Sequence, residues 1–429
     1  MKRSHLLVPV VLVALLSACG VIRGDDEGSE GAVTTGVTRE PCPIAVDKNK
    51  GCIYLGTISD LTAGPFAALA VPITQAQKAF WDRVNKAGGI GGKYEVDVQA
   101  YVRDNKYNPE VHRQVYNEIK DHVLALSQTL GSPTTAAIID DLRTNGIVAA
   151  PASWTSAWEF EDVIIESGSN YCVESMNSID YAMEAYNPKS VMAVYYAGDY
   201  GADAAAGAKF AAEKHGLKFT AVETPSGATE QGRAIAEITK NKPDLVIVTT
   251  GPADLAAIVG QAVAGGYKGR FIGTGPTWNP ALLKSPAAEA LKAHYEQSSP
   301  GLPWGADTPG HKAMREALGN VSAPNDGYTS GWSWAYPMKA ALEKMVAGGD
   351  ISRKGLLAAV KSLSTVDYEG MLPPEAGNYS GDPNAATFRQ TVIGKVDESA
   401  PTGITVVKNL FTGPTAQAYT FDGPCYEKL

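Results

Sequence analysis

Three kinds of side chain in this sequence are equipped for chemistry: hydroxyls that follow short apolar runs, acids near them, and five cysteines. Ser132 follows the β-rich run Val123–Leu126 and precedes Pro133, a residue suited to the first position of a helix. A serine so placed caps the helix, and its hydroxyl, with the amides beyond it, suits a carboxylate or amide oxygen. Asp140-Asp141 fall on a helix and Glu159 with Glu161 in a polar loop, and both pairs read as solvated surface. No G-x-S-x-G elbow, H-E-x-x-H pair, P-loop or Cys–His signature occurs, and the six histidines are scattered without metal-ligand spacing. Gly88-Gly89-Ile90-Gly91-Gly92 ends a helical stretch instead of opening one after a strand, so it does not resemble a dinucleotide loop. The chemistry to expect is binding, without catalysis, metal or cofactor.

The start of the chain bears on where that binding happens. Lys2 and Arg3 precede the apolar run Leu6–Leu16, which is too short for a permanent span but suits a signal peptide. Leu16-Ser17-Ala18-Cys19 resembles the bacterial lipobox, in which the cysteine is lipidated. The reading is a signal peptide over 1–18 and a lipid anchor on Cys19. A flexible tether follows over 19–41, poor in large apolar side chains. The protein is then expected outside the cytoplasm, held by lipid to the outer face of the cytoplasmic membrane. Its formal charge of −9 becomes more negative when Lys2 and Arg3 are removed. An acidic body argues against nucleic acid as a partner.

Export changes how the remaining cysteines are read. Cys42, Cys52, Cys172 and Cys425 allow three pairings. Cys42 and Cys52 flank a short polar loop before the first strand and are the preferred pair, which leaves Cys172 with Cys425; unpaired buried thiols are the alternative.

These groups need a scaffold, and the pattern supplies a strand–helix alternation. The expected elements are a strand at Ile53–Ser59, a helix from Ile73 to Asn85, a strand at Val96–Val102 and a helix after Asn108-Pro109. Then come the Val123–Leu126 strand, a helix over 133–144 and a strand at Ile147–Ala150. After an irregular stretch the alternation resumes with strands at Val191–Tyr196, Phe219–Glu223, Leu245–Thr249 and Arg270–Gly273, separated by helices. Helices at Gly310–Leu318, Tyr328–Val346 and Arg353–Leu363 precede two last strands, Gln390–Val396 and Thr405–Phe411. Short β-rich runs alternating with helices imply parallel sheets covered on both faces. Two such series imply two lobes. Lobe 1 is expected over 42–171 plus 302–375, and lobe 2 over 172–301 plus 376–429.

From Ile53 onward this order, with particular residues, resembles the type I periplasmic-binding-protein family, nearest its leucine/isoleucine/valine- and amide-binding lipoproteins. Leu61-Thr62-Ala63-Gly64-Pro65 is similar to the family's Leu-Ser-Gly-Pro loop, and Asn85 to Ile90 to its N-x-x-G-G-I helix ending. Asp104 follows the second strand as an acid does there. Asp199-Tyr200-Gly201 matches D-x-Y-G, and Tyr328 opens the helix matching Y-D-A, with Thr329-Ser330 in place of the last two. The resemblance implies an α/β fold of two doubly wound parallel-sheet lobes joined by a three-crossing hinge. It also implies a monomer that captures a small solute between its lobes and presents it to ABC permease subunits. Carried over, the carboxylate clamp becomes Ser132, Ser153 and Thr155. Tyr200 becomes the second-lobe contact, with Phe66, Leu69 and Tyr328 as candidates for the apolar wall.

Departures from the family bear on the solute. Amino-acid binders place an acid after the strand matching Arg270–Gly273, where this chain reads Thr274-Gly275-Pro276-Thr277. A buried ammonium without a carboxylate partner is costly. Either Asp199 or Asp254 supplies the charge, or the solute is a small carboxylate, amide or aromatic acid instead of an α-amino acid. A ligand sensor coupled to a membrane signalling protein is the alternative use of the fold; an exported hydrolase is the remote one.

Overall fold

The computed structural model describes residues 34–429, so the signal peptide, Cys19 and most of the expected tether lie outside the described residues. Two sheets carry the described chain. The first contains β1 (Val37–Thr38), β2 (Gly51–Ser59), β3 (Tyr94–Asp97), β4 (Val102–Asp104), β5 (Ala125–Leu130) and β6 (Ala149–Ala152). Its central strand β2 pairs in parallel with β3, β4 and β5, and antiparallel with β1. The second sheet contains β7 (Ser190–Tyr196), β8 (Lys218–Thr224), β9 (Leu245–Thr249), β10 (Arg270–Gly273), β11 (Tyr295–Ser299), β12 (Thr391–Val396) and β13 (Ile404–Phe411). Its order is β13-β12-β11-β10-β9-β7-β8, parallel except for β12, which pairs antiparallel with both β11 and β13. Central strands such as β9, Leu-Val-Ile-Val-Thr, are buried throughout, as helices on both faces require.

The chain passes between the sheets three times. After β6 it crosses to helix Tyr171–Ala185, whose Cys172, Val173 and Met176 pack with Val191 and Ala211 of the second half. After β11 it returns to helices Pro309–Leu318, Asp326–Ser333, Ala335–Gly348 and Arg353–Lys361. Trp332, Leu342 and Leu356 from these pack with Phe80 and Trp81 against the first sheet. It then crosses again into β12. This is a two-lobed, doubly wound α/β fold with a three-crossing hinge.

Several expected elements change shape for identifiable reasons. The strand expected over 96–102 breaks because Asp97 Oδ1 accepts the amides of Gln99 at 2.7 Å and Ala100 at 2.8 Å, folding a turn. The helix expected over 133–144 divides into Ser132–Ala136 and Ile139–Asn145. That expected from Tyr328 to Val346 divides at Trp334, since Pro337 has no N–H for the Ser333 carbonyl. Helix Tyr171–Ala185 and strand β11 stand where no element was expected. The tether reading is corrected at its end, because Val37 is buried and paired with Ile53.

Cys42 is bonded to Cys52 and Cys172 to Cys425. The second bond closes a loop of 253 residues. Removing it by Cys172→Ser with Cys425→Ser is expected to cost about 2–5 kcal/mol, chiefly by freeing the unfolded chain. A denaturant melt of the double variant checks this, and an unchanged midpoint would contradict it.

Candidate functional site

The loop after β2 opens the site. Buried Asp60 accepts the amides of Gly64 at 2.8 Å and Phe66 at 3.0 Å, delivering Phe66 to the head of helix Ala67–Lys86. Asp104 at the end of β4 accepts Leu61 N at 3.0 Å and the Thr62 hydroxyl, closing the same loop from below. After β5 the chain turns at Gly131 with φ 99°. A Cβ there would stand 2.6 Å from Thr134 Oγ1 and 2.7 Å from the Tyr107 ring, so only glycine fits. After β6, the Trp154 indole donates to Ser167 O at 2.8 Å, which fixes the ring. From the second half, Tyr200 donates its hydroxyl to Thr250 O at 3.2 Å and lies 3.2 Å from Thr274 Oγ1.

These residues line a cavity of about 70 Å³. Its wall holds the rings of Phe66, Tyr107, Trp154, Tyr171, Tyr200, Trp278 and Trp334, with Leu69, Ile73 and Leu130. Among the described residues lining it there is no Lys, Arg or His, and Asp326 is the one acid. Burial pushes the Asp326 carboxyl up to about 6, and it accepts Trp304 N at 2.7 Å. Ser132 Oγ and Trp334 Nε1 are buried without a hydrogen-bond partner.

Of the residues expected from sequence, the structure brings Phe66, Leu69, Ser132, Ser153 and Tyr200 to this wall. Ser132 is not the helix cap it was expected to be: Gly131 holds that position and the hydroxyl makes no capping bond. Ser153 Oγ already accepts the Trp158 indole at 3.1 Å. Thr155, Tyr328, Asp199 and Asp254 stand off the wall. Thr155 is fully buried behind it. Tyr328 donates to Gln75 Oε1 at 2.9 Å and packs on Trp304. Asp254 Oδ2 accepts the Tyr196 hydroxyl at 2.5 Å, Gly227 N at 2.9 Å and Gln231 Nε2 at 3.2 Å. Asp199 accepts Tyr200 N at 3.1 Å, and burial pushes it up to about 6. Glu159 is half-buried instead of on the solvated surface, accepting Asn170 Nδ2 at 2.9 Å, and burial raises its carboxyl.

The sequence reading missed most of the rings. Trp154 sat between Ser153 and Thr155 and Trp334 inside an expected helix, with no motif to mark them. It also missed Glu174, whose Oε1 accepts Gly275 N at 3.0 Å and the Ser298 hydroxyl at 2.6 Å. This carboxyl lies behind the Gly275-Pro276 wall, and burial pushes it up to about 7.

The sequence pattern of periplasmic binding proteins matches residues 53–400. The chain belongs to that family. No curated protein matches it. Among solved structures, a fatty acid ABC transporter substrate-binding protein from Thermomonospora curvata is 30% identical, with a TM-score of 0.82 over 90% of this chain and 96% of that one. A branched chain amino acid ABC transporter protein from Thermus thermophilus, with bound valine, is 16% identical, with a TM-score of 0.73 over 86% and 98%. A leucine binding protein from Thermotoga maritima is 16% identical, with a TM-score of 0.70 over 84% and 98%. This periplasmic binding protein is thus a substrate-binding protein of the ABC transporter kind. Its family works outside the cytoplasm, which its two disulfides fit.

Buried acids give the protein a distinctive pH dependence. Glu174 and Asp203 are both pushed by burial to about 7, above their unfolded values, so the native state binds these protons more tightly. Stability therefore falls as pH rises through the native values. His112 and His311, held by burial at about 3 and 4, act in the opposite sense and mostly at lower pH. Asp199 and Asp326, pushed up to about 6, act in the same sense as Glu174 and Asp203, so the melting temperature is expected to drop from about pH 5 to about pH 7.5 and to level off above. Glu174→Gln, which can still accept both bonds, should show a smaller drop; an unchanged slope would remove Glu174 from this account.

Proposed function

We propose that this protein is the solute-capturing subunit of an ABC importer and that its solute is a small, largely apolar molecule with one hydrogen-bonding end. Aliphatic and aromatic carboxylic acids and amides belong to this class, and α-amino acids do not. The observation that carries the reading is the composition of the cavity wall, seven aromatic rings and three aliphatic chains with no basic side chain. An α-ammonium buried there needs an ionised partner. Asp254 stands off the wall and is already bonded three times, and Asp326 is bonded to the Trp304 amide and the Thr402 hydroxyl. The unpartnered Ser132 hydroxyl and Trp334 N–H are donors on the wall for a carboxyl or amide group. The uncharged forms, an amide or a protonated acid, fit such a wall most directly. The 30% identity to a fatty acid binder supports the same class. This narrows the expectation from sequence, which kept amino acids and small polar solutes in play.

In this reading Cys19 carries the lipid anchor, the monomer closes its two lobes about the three crossings, and the closed form is what the permease recognises. Isothermal titration of the purified protein tests the solute class. Carboxylic acids or their amides are expected to bind and branched-chain amino acids are not. Ser132→Ala should weaken the acid or amide by about tenfold, the cost of one lost hydrogen bond. Micromolar binding of an α-amino acid would overturn the reading.

A further inference from the structure

We infer that the cavity continues into a second chamber between the chain crossings, and that this chamber takes the apolar far end of an elongated solute. The inference rests on the solute class proposed above. A space of about 30 Å³ adjoins the first and shares Trp154, Ser299, Asp326 and Ser330 with it. Its remaining wall comes largely from the hinge: Ser167 from the first crossing, Pro300 and Leu302 from the second, and Met371 with Leu372 from the approach to the third.

The polar groups of this chamber are largely used. Ser167 Oγ accepts the Tyr368 hydroxyl at 3.2 Å, and its carbonyl takes the Trp154 indole. Ser333 Oγ donates to Ser330 O at 3.0 Å, and Ser299 Oγ accepts Gly301 N at 3.4 Å. Thr329 Oγ1 is the buried hydroxyl left without a partner. The polar groups, Thr329 with Ser330 and Asp326, stand on the side shared with or next to the first chamber, whereas an alkyl or aryl end finds Pro300, Leu302, Met371 and Leu372. Methionine among them suits irregular apolar shapes.

Trp154 stands between the chambers. Its indole bond to Ser167 and its contact with Trp334, centroids 4.9 Å apart, fix the ring that both chambers share. The first and second crossings also meet here. Gly168 has φ 106°, and a Cβ on it would lie 2.7 Å from Pro300 Cβ. A solute long enough to pass Trp154 thus touches the hinge itself, and the chamber sets how much chain is accepted.

Titration of the purified protein with straight-chain saturated monocarboxylates and their amides, from butyrate to decanoate, tests this. Affinity should rise by about fourfold per methylene and keep rising past the length that fills the first chamber. Gly301→Leu should fill the second chamber, since a Cβ at Gly301 meets only Leu372 Cδ2, at 3.7 Å. That variant should leave the short members within about twofold and weaken the long ones by about tenfold or more. The wild-type series alone keeps the test decisive should the variant fold poorly. An affinity that stops rising when the first chamber is full, or a variant that weakens short and long members alike, overturns the second chamber and leaves the solute class standing. If no acid or amide binds, the solute class fails and the chamber's role fails with it.

Discussion

Phe66 meets rings from both halves of the molecule, and the cavity depends on that contact. Its ring lies 4.8 Å from Tyr107, which follows β4, and 5.8 Å and 6.4 Å from Tyr200 and Tyr196 of the second half. Tyr171 continues the edge-on chain to Tyr200 at 4.8 Å, and Trp154 and Trp334 follow. Each such pair contributes about 0.5–1.5 kcal/mol beyond the area it buries. Several in series hold the halves together over the cavity. The same rings that line the cavity therefore also join the two halves across it.

Two carboxylates make this contact possible. Asp60 fixes the turn that presents Phe66. Asp203 accepts Ser156 N at 2.9 Å and Cys172 N at 3.2 Å, so both ends of the first crossing are bound to helix Asp199–Lys214. Ser156 Oγ in turn accepts Cys425 N at 2.7 Å, which brings the C-terminal segment to the same point. Neither acid touches the cavity, yet each controls the position of a ring that does.

The alternation of strands and helices was legible because it is a matter of local hydrophobicity. β9 and β10 have the bounds their apolar runs mark, and Asn108 caps its helix by accepting the amides of Glu110 and Val111. The failures share a cause in buried polar groups. Helix Tyr171–Ala185 buries Glu174, Asn177 and Asp180 alongside its apolar residues, so no amphipathic period appears. β11, Tyr-Glu-Gln-Ser-Ser, reads as loop, yet Ser298 and Gln297 find tertiary partners. The site followed the same division. Ser132, Ser153 and Tyr200 were reached through motifs, whereas Trp154, Trp278 and Trp334 stand in segments whose meaning comes only from what faces them. Asp254 looked free in sequence and accepts three donors in the fold.

The Cys172–Cys425 bond ties the end of the chain to the first helix beyond the first crossing. Everything between them, including two of the three crossings and the four helices that return to the first sheet, lies within one covalent ring. A protease that cuts one exposed loop within this stretch opens the ring without releasing a fragment. For a protein that works outside the cell's own quality control, a nick there leaves both halves of the cavity attached to the same molecule.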